Sequence, residues 1–340
     1  MNVERFQTIT DRFGRMRIAV IGDFCLDRYL EIDPAKEEVS IETGRPVHNV
    51  VNVRGQPGGA GTILNNLVAL GVGTIFPVGF CGTDGEGFEL QRVLRAKGAG
   101  VHLNHFFATD QRHTFTYCKP LIIQDGQPPT ELNRLDTKNW APTPQAVAGR
   151  IMDSVAKLAR EADALILLDQ VDVRETGVIT KSVLTQVAEI VAGDPSLLVL
   201  ADSRRGLKGF PRVMLKMNRA ELSTLSGVAK DSDPSWLKKV IAKLAQQHEH
   251  NVFVTLAELG MIGATPTGEV EHVPAFPVRG EIDIVGAGDA VTANLTCALA
   301  AGATLRESLE LASAAASVVI HQLGTTGTAS VSQLRELVLA

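Results

Sequence analysis

The stretch EIDIVGAGDAVTANLTCALAAG, residues 281–302, decides how the rest of the chain is read. An extended apolar run ends at Val285, a Gly-Ala-Gly turn follows at 286–288, and Asp289 opens a helix of small residues. Glycines let backbone N–H groups come close to a bound anion. A helix N-terminus adds partial positive charge and amides without an intrahelical partner. Gly286, Ala287 and Gly288 therefore suit a transferring phosphoryl group. A carboxylate at the same turn suits the role of base toward an attacking hydroxyl. Taken alone, the same letters also describe a glycine turn with an aspartate helix cap.

Upstream, the chain after Pro144 alternates strictly. It reads as helix 145–160, strand 164–169, helix 176–192, strands 197–202 and 213–218, helices 219–226 and 234–248, and strand 252–257. A hairpin-like stretch at 261–276 leads to helices at 288–301, 304–322 and from 330. Nearer the N-terminus, RIAVIGD (17–23) and TIFPVGFCG (74–82) are continuous apolar strands among helices at 3–14, 58–71 and 87–99. Apolar strands separated by helical crossovers predict an α/β fold, with a mostly parallel sheet between two helix layers. Residues 33–54 and 103–136 differ, with prolines and short alternating runs such as VHNVVNV (47–53). They predict a small β lid inserted in a single domain spanning 1–340.

Of the 340 residues, 45% are apolar and 21% charged, a globular composition that excludes a disordered chain. The formal net charge of −5 gives no whole-chain attraction to nucleic acid or to an anionic membrane surface. No stretch reaches the ~20 apolar residues of a membrane span, and the polar start MNVERFQTITDRFGRMR has no signal-type apolar run. Cys25, Cys81, Cys118 and Cys297 form no CxxC pair, and the eight histidines show no ligand spacing. Free thiols in a cytoplasmic protein are expected.

DIVGAGDA (283–290) closely resembles the C-terminal signature of the ribokinase-like (PfkB) carbohydrate kinases. PGGAGTILNNLVALG (57–71) and VGFCGTDGEG (78–87) resemble the family's N-terminal half, and the likeness covers nearly the whole chain. The resemblance implies a ribokinase-like three-layer α/β/α sandwich with a β lid. It implies ATP-dependent phosphorylation of a sugar or sugar phosphate, with Asp289 as general base. It also implies roles for residues that match the family's motifs. Asp27 of GDFCLD (22–27) and the Gly58–Gly59 turn would contact the sugar, with Thr62 and Asn66 beside them. Thr62 stands where the family generally carries an Asn. Asn218 and Glu221 of NRAE would organise Mg²⁺ and its water shell, although a plain Asn helix cap gives the same letters. Thr255, Gly260, Asp283 and Ser313 would meet the nucleotide. Ala257 replaces a usual second glycine, and Ser313 an adenine-side Asn. A monovalent cation is a further candidate cofactor.

The pattern is closest to the kinase domains that phosphorylate a heptose 7-phosphate at its anomeric hydroxyl. GDFCLDRYL (22–30), ELNRLD (131–136) and LASAAASVVIHQLGTTGTAS (311–330) carry that likeness. A ketose, ketose phosphate or nucleoside acceptor stays open, as does a catalytically retired regulatory homologue. A dinucleotide-binding dehydrogenase is disfavoured because IGDFCLD supplies only one glycine after the first strand. Arg204, Arg205 and Asp169 follow or end strands, where α/β sheets place ligand contacts. An exposed lid edge predicts a homodimer through the lid.

Overall fold

The strand Arg17–Gly22 is buried from Ile18 onward. Successive side chains of a strand point to opposite faces. Ala19 and Ile21 join a core with Val183 and Val187, while Ile18 and Val20 join a second core with Ala293 and Cys297. A strand covered on both faces belongs inside a sheet, and this one lies parallel between Ala164–Asp169 and Thr74–Gly82.

The computed structural model describes residues 1–227 and 233–340. Its large sheet has nine strands, in the order Val270–Val273, Met261–Ala264, Val252–Thr255, Met214–Asn218, Leu198–Ser203, Ala164–Asp169, Arg17–Gly22, Thr74–Gly82 and Phe106–Thr109. Pairing is parallel from Val252–Thr255 to Phe106–Thr109, and the hairpin beyond Val252–Thr255 is antiparallel. Helices Gln145–Leu158, Lys181–Gly193 and Pro234–His248 pack on one face. Ala60–Ala69, Ala287–Ala300 and Leu305–Ile320 pack on the other. This is the three-layer α/β/α arrangement expected from the sequence. Because the strands are parallel, Gly22, Asp169, Ser203, Asn218 and Thr255 end along one edge. Every residue from Ala290 to Ala298 is buried, and small side chains let that helix lie close to Ala60–Ala69 and Leu305–Ile320.

A second, five-stranded sheet is built around Phe24–Ile32. Val50–Gly59 runs antiparallel to it on one side and Thr116–Ile122 parallel on the other. Thr130–Glu131 and Leu135–Thr137 complete it against Thr116–Ile122. The composition of this sheet departs from the expected lid in three ways. Its central strand is Phe24–Ile32, which lies outside 33–54; charges at Asp27, Arg28 and Glu31 obscure its apolar alternation. Residues 33–49 add no strand to it and form only a separate short pair, Glu38–Val39 with Pro46–Val47. Phe106–Thr109 joins the large sheet instead, by parallel pairing with Gly79–Gly82 that no local pattern reveals.

Two further expectations shift. Residues 281–285 form no strand, and Ile282, Ile284 and Val285 are exposed. The first helix ends at Thr10, followed by a turn of 3₁₀ helix at Phe13–Arg15. All four cysteines are buried and free. Among the described residues no helix is long and apolar enough to cross a membrane.

The N-terminal helix is clamped to the rest of the fold by Arg5. Its Nε and Nη2 donate to Glu307 Oε1 and Oε2 at 2.8 and 2.9 Å, and Nη2 also donates to the Gly302 carbonyl at 2.8 Å. The hydrogen bond from Arg5, outweighing a burial penalty, holds the Glu307 carboxyl down at about 2. A carboxyl whose pKa is lower folded than unfolded adds stability above its unfolded pKa and loses it as pH falls through the folded one. Arg5→Ala should therefore lower stability at neutral pH, and its gap from wild type should close between about pH 4.5 and pH 2. Urea melts across that range test this; a gap that stays constant would show that the pair contributes nothing.

Candidate active site

Two side chains at the sheet edge set the geometry. Asp202 and Lys216 sit on adjacent parallel strands and face the helix Ala287–Ala300. Lys216 Nζ donates to Asp202 Oδ2 at 2.7 Å, and Thr292 Oγ1 of that helix donates to the same oxygen at 3.1 Å. Both charged residues are buried. Burial alone would depress the Lys216 pKa, but Asp202, then Asp289 and Glu221, outweigh it and hold the ammonium charged.

The turn expected to meet a phosphoryl group lies directly over this pair. Gly286 caps the helix at φ 84°, a left-handed conformation that glycine adopts without strain. A Cβ on Gly288 would sit 3.0 Å from Lys216 Nζ, so the missing side chain lets the ammonium approach the helix start. By position, the amides of Gly288 and Asp289 have no intrahelical carbonyl to bond. Asp289 lines the same turn, enclosed by protein but partly exposed on one side. Burial, then the neighbouring Asp202, push its carboxyl up to about 7; Lys216 opposes this and Asp27 adds to it.

Asp27 comes from the second sheet. A Cβ on Gly58 would lie 2.5 Å from Asp27 Oδ2, so only glycine leaves room for this carboxylate. Lys119 Nζ stands 3.7 Å from Asp27 Oδ1. Burial raises the Asp27 pKa, against the pull of Lys119 and Arg134. Gln56 ties this side to the helix start: its Nε2 donates to Thr326 Oγ1 at 3.0 Å, and Thr326 and Thr62 flank Gly286. Asp27, Gly58, Thr62, Gly286, Gly288 and Asp289 are thus brought together.

Asn66 is not brought into that group. It is wholly buried, donates to the Thr62 carbonyl at 3.0 Å and accepts from Ala329 N at 3.3 Å, tying a loop to the helix Ala60–Ala69. Gly59 lies at the start of that helix, where a Cβ would meet the Asp23 carbonyl at 2.5 Å. Asp23 is a structural residue: its carboxylate accepts from Gln170 N at 2.8 Å and Val178 N at 2.6 Å.

On the other side, Asn218 and Glu221 form a capping box. Glu221 N donates to Asn218 Oδ1 at 2.9 Å and Asn218 N to Glu221 Oε2 at 2.7 Å. Burial raises the Glu221 pKa, and Asp202 raises it further, so these two carboxylates are close enough to interact. Asn218 pairs in register with Thr255. Ser313 donates to the Pro274 carbonyl at 3.4 Å, and Asp283 accepts from Val285 N at 3.0 Å. Among the described residues no three His, Cys, Asp or Glu side chains cluster as a metal-binding group would. Arg204 and Arg205 diverge: Arg204 pairs with Asp172, and Arg205 Nη2 donates to Asp169 Oδ2 at 2.5 Å.

Sequence reasoning missed Lys216, Asp202 and Lys119. The signal for Lys216 was available, since a single charge inside the apolar strand VMLKMN needs a buried partner. That Lys119 would stand beside Asp27 depends on a parallel pairing across ninety residues of chain and had no local signal.

Residues 16–331 match the family described as pfkB family carbohydrate kinase. The chain belongs to that family. Two relatives named "Bifunctional protein HldE", from Bradyrhizobium sp. (strain ORS 278) and Pelobacter propionicus, are each 29% identical. Each alignment covers 98% of this chain and 66% of the relative, so the chain spans just under two thirds of their length. Among solved structures, Arabidopsis thaliana ribokinase with ribose and ATP superposes at a TM-score of 0.68 and 20% identity, covering 95% of this chain and 98% of that one. Escherichia coli phosphofructokinase-2 with potassium gives 0.70 and 17%, with the same coverage. These likenesses carry the ribokinase-like fold.

Ala257 has φ 52° and so occupies the left-handed region with a side chain. That conformation costs a non-glycine residue about 1 kcal/mol. Ala257→Gly should raise stability by up to that amount, with part offset by the freer unfolded chain. Denaturant melts read the result; a clear loss of stability would mean the loop is not strained.

Proposed function

We propose that this pfkB-family chain transfers the γ-phosphoryl group of ATP to a hydroxyl of a sugar phosphate, with Asp289 as the base. The reading is carried by one observation: Asp289 stands at a helix start whose first amides lack intrahelical partners, beside Lys216 at Gly288 and within electrostatic reach of Asp27 on the second sheet. In this reading Asp27 and the Gly58 turn orient the acceptor. Asp289 accepts its proton as the oxygen attacks phosphorus, and the amides at Gly288 and Asp289 with Lys216 stabilise charge on the phosphoryl oxygens. Thr255, Gly260, Asp283 and Ser313 border the nucleotide. The second sheet covers the acceptor and keeps water out.

A phosphorylated acceptor is favoured over a neutral sugar because Lys119 and Arg134 both act on Asp27. Their charge suits an acceptor that brings its own phosphate. Heptose 7-phosphate fits that chemistry and the HldE relatives. Asp202 and Glu221, two interacting carboxylates, fit a magnesium ion that keeps most of its water and sits on the nucleotide phosphates, with Asn218 holding Glu221 in place. Such an ion would neutralise phosphate charge. A monovalent cation remains part of the proposal through family membership alone. Buried free thiols and ATP as donor suit the cytoplasm.

Asp289→Asn keeps the shape but removes the proton acceptor. Its kcat should fall ~10²–10⁴-fold while ATP affinity holds. Wild-type kcat/KM should rise with pH through an acid limb near the Asp289 value of about 7. Near-normal kcat in the purified variant would sink the assignment.

The strand Val50–Gly59 is an unpaired edge carrying exposed Val50, Val51 and Val53. Pairing with the same edge of a second chain would cover both, giving a homodimer through the lid. Val51→Lys should weaken association without unfolding the core. Light scattering over a dilution series tests this, and a dimer unaffected by the change would count against it.

A further inference from the structure

A cavity of about 390 Å³ opens on the opposite face of the sheet from Asp289. The strand periodicity separates the two sites. Asp202 points toward Thr292, whereas Asp169 and Ser203, paired in register, point to the face covered by Lys181–Gly193. Asp169 lies in the cavity wall. It is 99% buried, and its Oδ1 has no hydrogen-bond partner, which is costly for a buried carboxylate. Its other oxygen accepts from Ser203 and from Arg205, whose Nε donates to the Val171 carbonyl at 3.0 Å.

Arg174, Lys181 and Lys208 also line the cavity. All three are exposed to solvent, and none of the side chains has a hydrogen bond or ion pair among the described residues. Glu175, the remaining acid there, is already occupied by the backbone N–H of Lys181 at 3.0 Å. Opposed to this charge is an apolar wall that includes Ile179, Leu184 and Phe210. The three cations supply charge for a phosphate, and the apolar wall with an aromatic ring suits a flat apolar group. The volume lies in the range of small-molecule sites.

We propose that this cavity is a second ligand site, separate from the catalytic cleft, that binds a nucleoside monophosphate. The catalytic reading is not needed for it, since no residue of the Asp289 cleft takes part. The test is a calorimetric titration of the full chain with AMP, and with inorganic phosphate as a comparison. Wild type should bind AMP more tightly than phosphate. Lys181→Glu with Lys208→Glu should weaken AMP by about 100-fold, tenfold for each charge-assisted hydrogen bond removed, while kcat and the KM for ATP stay unchanged. Ala188→Trp, which fills the cavity without altering charge, should also abolish AMP binding and serves if the double variant melts early. Equal affinity for AMP and phosphate would overturn the nucleoside assignment. AMP binding that survives both variants, or absence of binding by wild type at millimolar AMP, would overturn the site.

Discussion

Lys216 and Asp202 are paired out of water beneath the first turn of Ala287–Ala300, and the geometry of the cleft depends on that pair. Removing two charges from solvent is costly, and a buried pair is weak evidence for added stability. Here it fixes position. The ammonium sits against Gly288, where any side chain would crowd it, and Thr292 binds the same aspartate one helical turn further on. The helix start, the two strand ends and the lysine are therefore held as one unit. Asp289 owes its raised pKa to burial in that unit and to Asp202, with Lys216 limiting the rise.

The Asp27 side is held by further contacts. The second sheet is joined to the large one by chain continuity from Gly22 into Phe24 and by the backbone bond from Ala60 N to the Asp23 carbonyl. Gln56 then bonds Tyr29 within the sheet and Thr326 beside Gly286. These are neutral, part-buried hydrogen bonds, each worth about 1 kcal/mol net. Packing and charge anchor the sheet as well: Phe24 and Leu26 are buried in the core beneath, and Arg28 pairs with Glu86 and Glu89 of the helix Gly85–Arg95.

Strand alternation divides the chemistry of the sheet edge. Asp202 and Lys216 face the Ala287–Ala300 side, whereas Asp23 and Asp169 face the other. Burial raises both, and Asp169 lies close enough to Asp23 to disfavour its charge. Neighbouring residues of one strand, such as Asp202 and Ser203, thus serve different sides of the molecule.

The layered α/β/α architecture was legible in the sequence because continuous apolar strands between amphipathic helices allow few other arrangements. The glycine turn and Asp289 were legible for a similar reason, since the chemistry of a helix start is local. Asn66, read as a ligand contact, secures a loop, while Asn218 forms the helix cap that the letters NRAE also allowed. The extended run before Gly286 carries Ile282, Ile284 and Val285, yet all three are exposed and residues 281–285 form no strand. Only the tertiary structure decided that Phe24–Ile32 leaves the large sheet while Phe106–Thr109 joins it, and that Lys119 reaches Asp27. Parallel pairing connects residues far apart in the chain, and a sequence pattern with a period of two residues records which face a side chain takes without recording its neighbour.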